Sequence, residues 1–266
     1  MNIKNYYGNL CTEMYEILHD KAPQDELDFY LSYAEKNKKM KKTVNFFGFS
    51  FYLPIFVIQI GLFSLIIKKT YKHPYHDQAL RTHASVEMLE KLKLKAPEAD
   101  VEYADIAEYT TNEQFDYIFI SSGSVSLFTD MNLCQKILKK IKGLLAPAGK
   151  FVFAVDTIAA KCLDNDDYEM SVSVKMKNGF DLVLKTKNYF DVQQQVQFSP
   201  GIYELYDRDK LLKSEHMDFQ THLYKFGEME NYLREAGFTE IKTYSSFEKE
   251  IAIDDCCDMF LFECNL

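Results

Sequence analysis

The residues able to do chemistry in this chain gather at the ends of apolar segments. Val101-Glu102-Tyr103-Ala104-Asp105 reads as a strand closed by an acid. Phe115 to Ile120 (FDYIFI) reads as a buried strand, and four small residues follow it, Ser121-Ser122-Gly123-Ser124. His222 and Tyr224 close the last of several alternating stretches. A carboxylate at a strand end can serve a ligand or cap the helix behind it. The small polar loop can face a ligand or be an ordinary turn. A histidine at a strand edge can deprotonate an oxygen or nitrogen acceptor, or sit satisfied by a neighbour. Residue type alone leaves each of these pairs open.

Composition bounds the rest. A chain of 266 residues suits one large domain, or one domain with an inserted cap. Hydrophobic residues make up 47%, and 21 Phe and 18 Tyr supply enough apolar material for a full core. The formal net charge of -9 argues against a general grip on nucleic-acid phosphates. Cys11, Cys134, Cys162, Cys256, Cys257 and Cys264 form no CxxC pair and no Cys/His metal spacing. They read as small thiols in a reducing, cytoplasmic setting, with no metal expected. The opening MNIKNYYGNLCTEMYEIL lacks a basic stretch followed by an apolar one, so no secretory signal is expected.

The elements that must position these residues follow from periodicity. Residues 4–35 read as helical, with Leu10, Met14, Ile17 and Leu18 at helical spacing and a second start near Pro23. Val86 to Leu94 reads as a short amphipathic helix. Leu133 to Leu145 reads as a helix stopped by Pro147 and Gly149, and Lys150 to Asp156 (KFVFAVD) as a buried strand. Strands alternating with helices imply a parallel α/β sheet. After Asp164 the pattern changes. SVSVKM, FDLVLKTKNYF, QQVQF and GIYELYDRDKLLKSEHMDFQTHLYKF alternate apolar and polar residues, as an antiparallel set with one wet face does. Gly227 to Ala236 reads as a helix ending at Gly237, and Glu240 to Phe247 and Met259 to Cys264 as two closing strands.

In this order the chain resembles a class I S-adenosylmethionine-dependent methyltransferase. FDYIFISSGSVSLFTD (Phe115 to Asp130) resembles that family's fourth strand and its loop. ILKKIKGLLAPAGKFVFAVDT (Ile137 to Thr157) resembles the helix, turn and fifth strand. YKFGEMENYLREAGFTEIKTYSSF (Tyr224 to Phe247) resembles the late helix, its AGF turn and the sixth strand, and MFLFEC the antiparallel seventh. The match covers roughly residues 1–35 and 83–266. It implies an α/β, Rossmann-like seven-stranded methyltransferase sheet with an antiparallel β cap inserted after the fifth strand. Residues 1–164 would carry the N-terminal helices and core, 165–225 the cap, and 226–266 the end of the core. It further implies S-adenosylmethionine as cofactor and a small-molecule methyl acceptor. Asp105 matches the adenine-side acid with Ile106 beside the base, and Ser121, Ser122 and Gly123 match the loop facing the methionine moiety. Tyr15 would close over the cofactor with an aromatic face toward the sulfonium. His222 and Tyr224, with Glu204, Tyr203 and His19 as further candidates, would supply a base for the acceptor.

The segment that should carry the glycine-rich turn departs from the pattern. It reads TVNFFGFSFYLPIF, with Gly48 alone among bulky neighbours, and His83 stands where an acid would bind the ribose. Basic residues bracket an uncharged run from Thr43 to Ile67, long enough for a span. Three readings compete: a central strand at Thr43 to Phe49 with a buried helix from Tyr52 to Ile67, a membrane span, or a local reading-frame disruption between about residues 37 and 83. A span would remove the central strand from the sheet. Two functions follow: an active small-molecule methyltransferase with an altered cofactor site, or a non-catalytic binding or regulatory relative.

Overall fold

The computed structural model describes residues 9–18, 23–35, 43–45, 65–69, 79–82, 94, 101–103 and 106–266. The N-terminal part forms α1 (Asn9–Leu18), α2 (Gln24–Glu35) and four short strands. These are β1 (Thr43–Asn45), β2 (Leu65–Lys69), β3 (Ala79–Thr82) and β4 (Val101–Tyr103). Then come β5 (Phe115–Ile120), α3 (Met131–Leu144) and β6 (Leu145–Asp156). A run of strands follows: β7 (Glu169–Lys175), β8 (Asp181–Thr186), β9 (Tyr189–Asp191), β10 (Val196–Asp207) and β11 (Lys210–His222). The chain closes with α4 (Glu228–Ala236), β12 (Glu240–Tyr244) and β13 (Met259–Asn265).

A large sheet runs β12-β13-β6-β5-β1-β3-β2-β4, with β3 also pairing β4. Strands β3, β1, β5 and β6 are parallel in series, and β4 is parallel to β3. β13 runs antiparallel to β6, and β2 antiparallel to β3 and β4. The sheet thus has eight strands where the resemblance implies seven. The extra one, β2, also corrects the expected helix from Tyr52 to Ile67, because residues 65–67 lie in a strand. That run is β-branched and apolar (LIIKK), and an apolar run this short does not separate strand from helix by periodicity. Gly48, His83 and Asp105, most of the Thr43 to Ile67 run, His19 and most of the helix expected at Val86 to Leu94 lie outside the described residues. Among the described residues no helix is long and apolar enough to cross a membrane.

Strand alternation divides the core. On β5, Tyr117 and Phe119 turn to one face of the sheet and Ile118 and Ile120 to the other. On β6 the same split sets Val152 and Ala154 against Phe151, Phe153 and Val155, and on β13 it sets Leu261 against Phe260 and Phe262. The first face receives Phe29, Tyr30 and Tyr33 of α2. Two of these rings pack edge-on to Phe29, and the Tyr30 hydroxyl donates to Ile120 O at 3.2 Å. The second face receives Ile137, Leu138 and Ile141 of α3 and Met229 and Leu233 of α4. Asp130 caps α3 by accepting from Asn132 N and Leu133 N. α3 ends at Leu144, before Pro147 and Gly149, which lie among the first residues of β6; Gly149 is required there because a Cβ would meet Phe115 O at 2.7 Å.

A second sheet, wholly antiparallel, holds β11-β10-β8-β7 with β9 on β10. It sits in sequence between β6 and α4. The alternating stretch Phe180 to Phe190 divides into β8 and β9, because β8 pairs β10 at Gly201–Tyr206 and β9 pairs it at Val196–Phe198. α1 packs on this sheet: Leu10, Cys11 and Met14 bury against Leu182 and Tyr203. Glu215 Oε2 accepts from Leu10 N at 2.8 Å.

Candidate functional site

The parallel strands place their C-terminal ends on one edge of the large sheet. β1 has β3 on one side and β5 on the other, so the direction of progression reverses there, and ligands in such sheets bind beyond the strand ends at this point. The loop after β5 is Ser121-Ser122-Gly123. Ser122 and Gly123 both adopt left-handed backbone, at φ 56° and 64°. Gly123 is needed twice over: its φ disfavours a side chain, and a Cβ would stand 2.7 Å from Asp156 Oδ1. The turn is closed by Ser124 N to Ser121 O (3.2 Å), Ser124 Oγ to Ser121 O (2.8 Å) and Ser126 N to Gly123 O (2.8 Å). Ser121, Ser122, Ser124 and Ser126 are all buried. The single-turn helix Ser124–Leu127 follows, and β11 lies against it.

Two acids flank this loop. Glu26 of α2 reaches down so that its Oε1 accepts from Ser122 N at 3.0 Å and from Ser122 Oγ at 3.1 Å. Burial pushes its carboxyl up to about 7, against the lowering effect of the two bonds from Ser122. Asp156, the last residue of β6, lies on the other side with its carboxyl against Gly123. Its backbone is pinned at both ends: Asp156 N donates to Ser126 Oγ at 2.7 Å, and Asp156 O accepts from Tyr224 N at 2.9 Å. Burial raises its carboxyl to about 7, and among the described residues nothing donates to that carboxyl. Neither acid stood out from sequence. Glu26 reads as an ordinary first-turn acid of a helix, and Asp156 as the end of an apolar strand run. The one signal was position, since Asp156 closes a strand as Asp105 does.

The sequence-derived candidates distribute as follows. Ser121, Ser122 and Gly123 form the loop just described. Ile106 follows β4 and is buried with Tyr109 and Phe115. Tyr15 is half-buried in α1, packed with the apolar cluster on the second sheet. Tyr224 approaches the strand-end edge because it bridges Thr157, its N–H donating to Asp156 O and its carbonyl accepting from Ile158 N, and His222 lies two residues before it at the end of β11. Their side chains turn elsewhere. His222 Nε2 lies 2.8 Å from Glu228 Oε1 of α4, which fixes its proton on that nitrogen when the ring is neutral. Among the described residues His222 Nδ1 is buried without a partner. The Tyr224 ring is fully buried between α3 and the sheet, its hydroxyl 3.7 Å from Cys134 Sγ. Tyr203 packs under α1, and Glu204 pairs with Lys185 and the Tyr206 hydroxyl on β10, so neither joins the loop. An open depression of roughly 630 Å³ is lined by Gln195, Phe226, Glu228 and neighbours at the start of α4, and none of the loop residues lines it. Among the described residues no group of His, Cys, Asp and Glu could hold a metal ion.

The fold has close counterparts. No family model matches the chain, and no curated protein matches it in sequence. A S-adenosylmethionine-dependent methyltransferase from Clostridium acetobutylicum superposes with TM-score 0.67 at 15% identity, over 97% of this chain and 98% of its own. The sugar N-methyltransferase KedS8 from Streptoalloteichus gives 0.63 at 13% identity, over 100% and 98%. CalS10, an amino pentose methyltransferase from Micromonospora echinaspora solved with S-adenosylmethionine bound, gives 0.62 at 10%, over 98% and 99%. The chain therefore has the fold of S-adenosylmethionine-dependent small-molecule methyltransferases, as its residues suggested.

Proposed function

We propose that this chain binds S-adenosylmethionine at the C-terminal edge of the large sheet and transfers its methyl group to a small molecule. The observation that carries the reading is the reversal of strand order at β1, with the Ser121-Ser122-Gly123 loop on the neighbouring strand. In this reading the large sheet is the seven-stranded methyltransferase sheet with β2 added, and the second sheet, within residues 165–225, is a cap over the acceptor. Residues 1–164 and 226–266 then form the core. The described residues fit the methionine end of the cofactor. The loop side chains are small, and its backbone is turned by two left-handed residues. Ser121, Ser122 and Gly123 would hold that end, with Ile106 beside the base and Asp105 at the adenine. Tyr15, Gly48 and His83 complete the proposed set.

Bound there, the cofactor supplies an electrophilic methyl group on a sulfonium sulfur. The chain's own work is alignment: an in-line displacement gains most from holding the acceptor atom at the methyl carbon. The cap excludes water, and a base takes the acceptor proton where one must leave. His222 and Tyr224 remain in this proposal as the residues of β11 and its extension that come nearest the edge. A second reading, a non-catalytic binding or regulatory protein, is favoured by one observation: Gly48 is the single glycine where the family's turn has several.

Calorimetric titration with S-adenosylhomocysteine separates the two. Micromolar binding is the expected result. A folded chain that takes up no ligand at millimolar concentration would leave the second reading.

A further inference from the structure

Asp156 is built unlike the other acids of the large sheet. Glu263 is buried, and Lys150, Tyr33 and Tyr244 all approach its carboxylate. Glu26 receives two bonds from Ser122. The Asp156 carboxyl receives no hydrogen bond among the described residues, the residue stays partly open to solvent, and its backbone is held by Ser126 and Tyr224. The more water a cleft removes from a carboxylate, the more its ionised form gains from a nearby cation or donor. Among the described residues neither reaches Asp156. The carboxyl instead lies over the one loop position where the side chain is a single hydrogen, Gly123.

We propose that Asp156 binds the ammonium group of an amine acceptor and takes its proton. This rests on the methyltransferase reading above and names the acceptor class within it. Pairing with a cation returns the carboxyl to its ionised form, in which it accepts N–H bonds. As the O–H bond forms on Asp156, the N–H bond of the acceptor breaks and the nitrogen keeps the electron pair. That pair is the nucleophile an N-methylation requires. A carboxyl held near neutrality by burial is matched to this exchange at neutral pH. An alcohol acceptor can donate one hydrogen bond to Asp156 but carries no positive charge to hold the carboxyl in its ionised form.

The test is carbon NMR of the full chain carrying aspartate labelled at the side-chain carboxyl carbon. The Asp156 resonance is assigned by its loss in Asp156→Asn. Should that variant not fold, Asp156→Glu removes the same resonance, because glutamate is unlabelled. Propylammonium, propan-1-ol and tetramethylammonium are added separately at equal concentration and neutral pH. Propylammonium is expected to move the Asp156 resonance toward its ionised position, and the other two are not. Gly123→Ala places a methyl group against Asp156 Oδ1 and is expected to weaken the response by about tenfold or more. No response to propylammonium, or an equal response to propan-1-ol, overturns the assignment. So does a full response to S-adenosylhomocysteine alone, which would make Asp156 the partner of the cofactor's own amine. Calorimetry on the same sample reports cofactor binding independently. An amine response without cofactor binding sinks the methyltransferase reading and leaves the site standing. Cofactor binding without an amine response does the reverse.

Discussion

Glu26 and Asp156 face one loop from two sides, and both carboxyls are raised by burial. Their linkage to stability has a definite sign. A carboxyl whose pKa is higher in the folded chain than in the unfolded one binds its proton more tightly when folded. Its contribution is complete below the ordinary value of 4.5 for Glu26 and is lost as pH rises through about 7. For Glu26 that loss is about 3 kcal/mol. Glu263 works in the opposite sense. Burial alone would raise it, but Lys150 and Tyr244 bring it down to about 2, so its contribution is lost only in acid. The urea midpoint is therefore expected to fall between about pH 4.5 and pH 7, a window in which Glu263 stays ionised. Glu26→Gln keeps an oxygen for Ser122 and cannot ionise. It is expected to flatten part of that fall, and an unchanged slope would show that Glu26 is already ionised at the lower pH.

The helices are set by their ends as much as by their faces. α4 closes at Gly237, whose φ of 95° lets its N–H return to Leu233 O and Arg234 O. A Cβ there would strain the backbone and stand 2.5 Å from Lys142 Nζ, the flexible end of a long side chain that can move aside. Gly237→Ala should therefore cost about 1 kcal/mol through the backbone. Chemical denaturation would read this as a lower midpoint at unchanged slope. A cost several times larger would mean that Lys142 is held in place. This cap was legible in the sequence because an αL residue after an amphipathic run has few alternatives to glycine. The boundary between β8 and β9 was not, since both halves alternate and only their separate partners on β10 divide them.

At the scale of the molecule, α1 belongs to the second sheet and α2 to the first. The two helices are neighbours in sequence, yet they bury against different sheets. α1 therefore ties the N-terminal part of the chain to the proposed cap. Met14, 2% exposed, is central to that contact. Met14→Ala should cost about 2–5 kcal/mol. Its effect should concentrate in β8 and β10, where amide exchange would quicken, with β5 and β6 protected as before. Uniform quickening across both sheets would show that the two unfold as one unit.

The sequence by itself determined the alternation of strands and helices around β5 and β6, the change to an antiparallel pattern after residue 164, and the cap at Gly237. These are local properties: periodicity shows which face is apolar, and turn chemistry shows where an element must stop. It also marked Ser121, Ser122 and Gly123, since small residues after a buried strand are conspicuous in one dimension. Tertiary structure alone decided that β2 adds an eighth strand and that α1 packs on the second sheet. It alone turned His222 toward Glu228 and buried the Tyr224 ring. It alone brought Glu26 and Asp156 to the same loop, from positions 130 residues apart in the chain. Desolvation and unpaired charge arise from what surrounds a side chain in space, and that information appears only once the sheet has assembled.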